Sequence, residues 1–303
     1  MTRENRQTAE RIKKLAQQKN ALILAHNYQP PEIQDAADMC GDSLELAMKA
    51  ADTDAEILVF CGVHFMAETA SILCPEKTVL LPRADAGCPM ADMITPQALE
   101  EKTRSLPGVP VVTYVNSPAA VKAMSTVCCT SANAVRVAES LDAGEILMVP
   151  DRNLAAYTAA NTGKTIHAWK GFCPYHETLD SETVKQARQL HPRALFMAHP
   201  ECRPEVTAMA DVVTSTSGML DFAARSQQTE FIVGTETGLL YPLQKANPGK
   251  TFYPASDQMH CADMKKITLA DMEASLQHLS GEVRVPGEIR TPALSAVKKM
   301  LSA

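Results

Sequence analysis

One ordered set of landmarks recurs three times along the chain, and that recurrence restricts its folding more than any other feature. An apolar stretch with a polar end opens each third: LILAHNYQ with His26, VVTYVNSP with Asn116 and LFMAHPEC with His199. A serine in a helix-start context follows, at Ser43, Ser131 and Ser215. A second apolar run comes next (AEILVFCGVHF, GEILMVPDRN, TEFIVGTETG), its polar end near His64, Asn153 and Glu236. Each third closes on a cysteine: Cys88 in AGCPMAD, Cys173 in GFCPYHE and Cys261 in MHCADM. From opening to cysteine the separations are 62, 57 and 62 residues. Such self-similarity marks a repeat architecture, here of three homologous units of roughly 85 residues. The expected units cover 1–107, 108–192 and 193–285, and residues 286–303 make a terminal helix expected to pack on the first unit.

Within each unit short aliphatic runs alternate with longer helical stretches, the pattern of βαβ units. The fold class that follows is α/β: three homologous βαβ units with parallel sheets arranged about a pseudo-threefold axis. Residues 4–19 read as a charged amphipathic helix with Ile12 and Leu15 inward. Asp42 and Ser43 cap the helix that follows the first opening. In parallel sheets the binding loops gather at the carboxyl ends of the strands, which is where His26, Asn116, His199 and the three cysteines fall.

Composition narrows the function classes. Hydrophobic residues make up 46% of the chain and aromatics 5%, so the core is aliphatic, with 15 Met to fill its gaps. A formal charge of −6 and a pI near 5.8 argue against a nucleic-acid or anionic-membrane surface. No apolar run approaches the ~20 residues of a membrane span, and MTRENRQTAE lacks a signal-peptide apolar region. A cytoplasmic protein is expected. Nine cysteines, an odd number in mostly apolar surroundings, do not read as a disulfide framework. Cys40, Cys61 and Cys74 read as core, Cys128 and Cys129 as vicinal and constrained, and Cys202 as a neighbour of His199 and Glu201 without being a ligand.

If the three units meet strand ends inward, Cys88, Cys173 and Cys261 converge. Three thiolates can hold a [4Fe–4S] cluster with one iron free of protein ligands, and that iron can act as a Lewis acid. A zinc site with His176 or His260 as fourth ligand is a second reading, although the paired C-x₂-C of structural zinc sites is absent. The third is three buried cysteines inherited from one ancestral unit. Around them His26, Tyr28, Tyr114, Asn116, His199 and Glu201 offer proton donors, acceptors and one carboxylate. Ser43, Ser131, Ser215 and Thr216 stand at helix starts, where free N–H groups hold phosphate or carboxylate, although plain N-capping is the commoner use of such a serine.

The motifs AHNYQ (25–29), GDSLELA (41–47), CGVHFMAETA (61–70), AGCPMAD (86–92), VTYVNS (112–117), GFCPYH (171–176), AHPEC (198–202), TSTSGM (214–219), VGTETG (233–238) and CADMKK (261–266) are long and specific. Together they cover essentially the whole chain, which resembles the quinolinate synthases of NAD biosynthesis. The resemblance implies condensation of iminoaspartate with dihydroxyacetone phosphate, with loss of phosphate and two waters, on a three-cysteine [4Fe–4S] cluster. It implies Cys88, Cys173 and Cys261 as ligands. Tyr28, His199 and Glu201 would serve proton transfer. His26, Ser43, Tyr114, Asn116, Ser131, His176, Ser215 and Thr216 would bind substrate. An L-aspartate oxidase or dehydrogenase would supply the iminoaspartate. Some members carry C-x₂-C-x₂-C around the third ligand; Met264 and Ile267 stand there in this chain, so Cys261 must serve alone. A non-catalytic cluster protein, sensing or carrying electrons, is the rival class. It would need no ring of Ser, His and Tyr.

Overall fold

The computed structural model describes residues 2–302 and contains three four-stranded parallel sheets of one topology. The first sheet holds β1 (Ala21–His26), β2 (Met39–Gly41), β3 (Ile57–Cys61) and β4 (Thr78–Leu80), in the order β2-β1-β3-β4. β5 (Val111–Tyr114), β6 (Val127–Cys129), β7 (Glu145–Val149) and β8 (Thr165–Ala168) follow as β6-β5-β7-β8. The third sheet, from β9 (Leu195–Ala198), β10 (Val212–Val213), β11 (Glu230–Gly234) and β12 (Thr251–Pro254), is ordered β10-β9-β11-β12. The expected α/β class with three repeated units is therefore present. The strands read as unbroken aliphatic runs because helices cover both sheet faces; all five side chains of ILVFC in β3 are buried.

Sheet register aligns the units residue by residue. The Asp38, Thr126 and Asp211 amides donate to the Ile23, Val111 and Phe196 carbonyls, so His26, Tyr114 and His199 are equivalent positions. By the same alignment Ser43 and Ser131 match Thr216, while Ser215 matches the helix cap Asp42. His199 is level with His26, as the motif alignment supposes, but Asn116 lies two residues farther on, level with Tyr28 and Glu201.

The terminal helices cross between units. Arg3–Gln18, started by Thr2 and burying Ile12, packs on Leu269–His278 beyond the third sheet. The expectation for the tail was contact with the first unit. Gly287–Ser302 does touch the His64–Leu73 helix there, but it lies mainly on β6 and the Ala119–Lys122 turn of the second unit. Asn133 donates to the Met300 carbonyl at 3.0 Å, and Ala293, Ala296, Val297 and Met300 are the buried face. No helix among the described residues is long and apolar enough to cross a membrane.

Candidate active site

The three cysteine loops meet in one cleft of about 480 Å³, lined by Cys88, Cys173 and Cys261 together with Tyr28, Phe65, Asn116, His176, Glu201, Glu236 and Met264. A second cavity of about 400 Å³ shares Tyr28, Phe65, Asn116, Glu201 and Met264 with it, and adds His26, Ser43, Tyr114, Ser131, His199 and Thr216. Thus thirteen of the fourteen residues singled out in the sequence line two adjoining compartments, one of thiols and one of hydroxyls and imidazoles. The exception is Ser215. It caps the Thr216–Arg225 helix by accepting the Gly218 N–H at 3.2 Å, and donates to Asp42 of the first unit at 3.1 Å. Ser131 precedes the Ala134–Ser140 helix by three residues rather than starting it. Asp42 already caps the Ser43–Asp52 helix, accepting the Leu44 and Glu45 N–H groups at 3.0 Å. An anion at Ser43 therefore depends on its hydroxyl more than on bare helix amides.

Glu201 is the electrostatic centre. Burial alone would raise its pKa, but the two imidazoles and the Tyr114 hydroxyl outweigh that and hold it well below the usual carboxylate range. Its Oε2 lies 2.8 Å from His176 Nδ1 and 3.7 Å from His199 Nδ1. The other nitrogen of His176 meets Thr235 Oγ1 at 2.8 Å, and Thr235 Oγ1 meets the Tyr28 hydroxyl at 2.5 Å. One set of proton positions satisfies all three bonds. The Tyr28 O–H donates to Thr235, the Thr235 O–H to His176 Nε2, and the His176 Nδ1–H to Glu201. Thr235 escaped the sequence reading; it follows β11 directly in VGTETG, and only the folded chain brings it between a residue of the first unit and one of the second.

His26 and His199 are both lowered to about 3, burial being the largest cause, so both are neutral imidazoles near pH 7. The Tyr28 phenol is pushed up by burial and by Glu201, and keeps its proton. Asn116 donates weakly to Glu201 at 3.5 Å, while its buried Oδ1 has no protein partner. Asn116 lines both compartments, and its Oδ1 is an acceptor without a donor.

The donor set fits a soft metal cluster. All three thiols are half-buried, and burial pushes Cys88 to about 12, Cys261 to about 11 and Cys173 upward as well. Free thiolates are costly there, whereas coordination deprotonates a thiol outright. Cys173, His176 and Glu201 place their ligand atoms within 4.8 Å of one another, which is compatible with metal binding. His176, however, spends both ring nitrogens on Glu201 and Thr235, and His260 is exposed outside the cleft, which weakens the zinc reading. Cys61, Cys74, Cys128, Cys129 and Cys202 are buried away from the cleft; the Cys202 thiol donates to the Gly234 carbonyl.

Fold and site together define an α/β enzyme of three like units with its polar residues gathered at their shared strand ends. A family model described as "Quinolinate synthetase A protein" matches residues 10–302. Quinolinate synthases of Geotalea uraniireducens and Dehalococcoides mccartyi are each 55% identical to the chain over 291 residues, 96% of both chains. Quinolinate synthase 2 of Methanosarcina acetivorans is 50% identical over 299 residues, 99% of this chain and 96% of its own. The chain belongs to the quinolinate synthase family.

Proposed function

We propose that the chain condenses iminoaspartate with dihydroxyacetone phosphate to quinolinate, releasing phosphate and two waters, with a [4Fe–4S] cluster held by Cys88, Cys173 and Cys261. The observation that carries this reading is the meeting of three half-buried thiols, one from each unit, beside a buried Glu201–His176–Thr235–Tyr28 relay. When bound, the cluster supplies Lewis acidity at the one iron that has no protein thiolate.

The remaining chemistry belongs to side chains. Ser43, Ser131 and Thr216 bind the carboxylate and phosphate oxygens, and the neutral His26 and His199 donate through the nitrogens not used by their own loops. Tyr114 and Asn116 hold Glu201 and orient substrate. Ionised Glu201, with His199 beside it, is the base for proton removal. A substrate dianion entering the compartment raises its affinity for that proton. Tyr28 exchanges protons through Thr235 and His176 during condensation. Ser215 secures the Thr216 helix start. The three units act as successive repeats, and an L-aspartate oxidase or dehydrogenase in the cytoplasm supplies the unstable imine.

Anaerobic reconstitution tests this directly. The wild-type chain should take up about four iron and four sulfide and form quinolinate; Cys173→Ser, Cys88→Ser and Cys261→Ser should each lose both, since an alkoxide substitutes poorly for a soft thiolate. Full iron content in Cys173→Ser would overturn the ligand assignment.

A further inference from the structure

Glu236 is buried at the end of β11 and takes no part in the relay just described, yet it touches both ends of the site. Its Oε1 accepts the backbone N–H of Cys261 at 3.1 Å. Its Oε2 accepts the Gly238 N–H at 2.7 Å and the Lys265 ammonium at 3.0 Å. Lys265 also donates to the Tyr28 carbonyl. Tyr28 is thus gripped twice from the third unit, its hydroxyl by Thr235 and its carbonyl through Lys265 by the neighbouring Glu236. Gly238 permits the arrangement. A Cβ there would stand 2.6 Å from Lys265 Nζ, 2.6 Å from the Tyr28 carbonyl oxygen and 2.7 Å from Glu236 Oε2. Both charges are mostly withdrawn from solvent, with side-chain exposures of 1% for Glu236 and 18% for Lys265, so their pairing is screened little.

We propose that the Glu236–Lys265 pair is a positioning device that fixes the Cys261 loop of the third unit against the Tyr28 loop of the first. The pair lets the thiol and the phenol move only together. It also places a carboxylate and an ammonium, of opposite effect, beside one cysteine of the cluster. That electrostatic part rests on the cluster reading above; the positioning part does not. Removing Glu236 leaves an uncompensated cation next to Cys261 and favours the reduced cluster. Removing Lys265 leaves an uncompensated anion and disfavours it.

Two measurements separate the parts. In the metal-free protein, hydrogen exchange followed on the peptide containing Cys261 should be faster by about tenfold or more in Glu236→Ala and Gly238→Ala, because the amide loses its charged acceptor or its acceptor is displaced. Unchanged exchange in both variants overturns the positioning claim, whether or not the wild-type chain takes a cluster. In the reconstituted holoenzyme, spectropotentiometric titration should move the cluster midpoint upward in Glu236→Gln and downward in Lys265→Met, with the double variant near wild type. Shifts of the same sign in the two single variants mean loosening alone and overturn the electrostatic claim. Lys265, at the rim, keeps the test available if Glu236→Gln folds poorly. A wild-type chain without iron or sulfide would instead count against the cluster reading and leave the exchange result to decide the positioning. In kinetics, Lys265→Met should lower kcat with little change in KM, since neither partner is placed at the substrate oxygens.

Discussion

After β1 the chain runs His26-Asn27-Tyr28, and after β9 it runs His199-Pro200-Glu201. In both loops the histidine Nδ1 accepts the amide N–H two residues on, at 3.2 and 3.3 Å. Both imidazoles are neutral for the same reason, burial. The third residue separates the loops: a phenol whose proton is held tightly in the first unit, a carboxylate held ionised in the third. Backbone bonds make His26 and His199 equivalent, since the Asp38 and Asp211 amides donate to the Ile23 and Phe196 carbonyls three residues before each. The two knots are alike because they stand at the same place in the repeat, where a His followed at the second position by a free N–H closes on itself locally. A repeated scaffold has supplied two similar sockets, and a single side chain in each decides whether it gives or takes a proton.

Exchanging that side chain for its nearest non-titrating relative should produce unequal losses. Glu201→Gln keeps size and hydrogen bonding but removes the base, and turnover should fall roughly 10²–10⁴-fold. Tyr28→Phe interrupts the relay at its far end and removes one neutral hydrogen bond, for roughly a tenfold loss. Quinolinate formed per cluster under anaerobic conditions is the measurement. Equal losses would mean that the two sockets share one function; a Gln variant within about threefold of wild type would move the base to His199.

The histidines should show their likeness in acid. Each has a folded pKa of about 3, below its ordinary 6.5, so from pH 6.5 down to about 3 the unfolded chain binds a proton that the folded chain refuses. Stability then rises with pH across that window by about 1.4 kcal/mol per pH unit for each histidine. Glu201, depressed as well, adds a loss of stability below its ordinary 4.5. Urea unfolding of metal-free His26→Gln between pH 5 and 6.5 should give a slope shallower than wild type by that one-histidine amount. An unchanged slope would place the His26 ring in contact with water.

Much of this was legible in the chain and some was not. Ordered landmarks made the triplication readable, because aliphatic strands buried on both faces and a cysteine at the end of each unit survive as linear text. Relations across units were hidden. Nothing around Thr235 announces a bridge between Tyr28 and His176, and Lys122, fully buried with its ammonium on the Phe65 and Ser117 carbonyls, would pass as a surface lysine. The tail helix has an apolar face without a label, so its docking across the second unit depends on which neighbour offers the larger uncovered surface. Met264, three residues past Cys261, is buried in the wall of both compartments and accepts the Gln29 amide at 3.6 Å, so the position is filled by packing.

The finest form of the comparison lies at the helix starts that follow β2 and β10. Ser43 is the first residue of its helix and lines the hydroxyl compartment, while Ser215 is a helix cap, as Asp42 is in the first unit, and bonds Gly218 and Asp42. Ser43→Ala should therefore reduce kcat/KM by roughly 1.5–3 kcal/mol of lost charge-assisted bonding to a substrate anion, with thermal stability unchanged. Ser215→Ala removes an N-cap, which costs about 1 kcal/mol. At this chain length that lowers Tm by about 2 °C, with kcat/KM kept within about threefold. Differential scanning calorimetry beside steady-state kinetics reads both. The reverse outcome, a stable Ser215→Ala enzyme with the larger kinetic defect, would show that the hydroxyl turns from Asp42 to the substrate, and that the cap of the third unit has taken on a binding task.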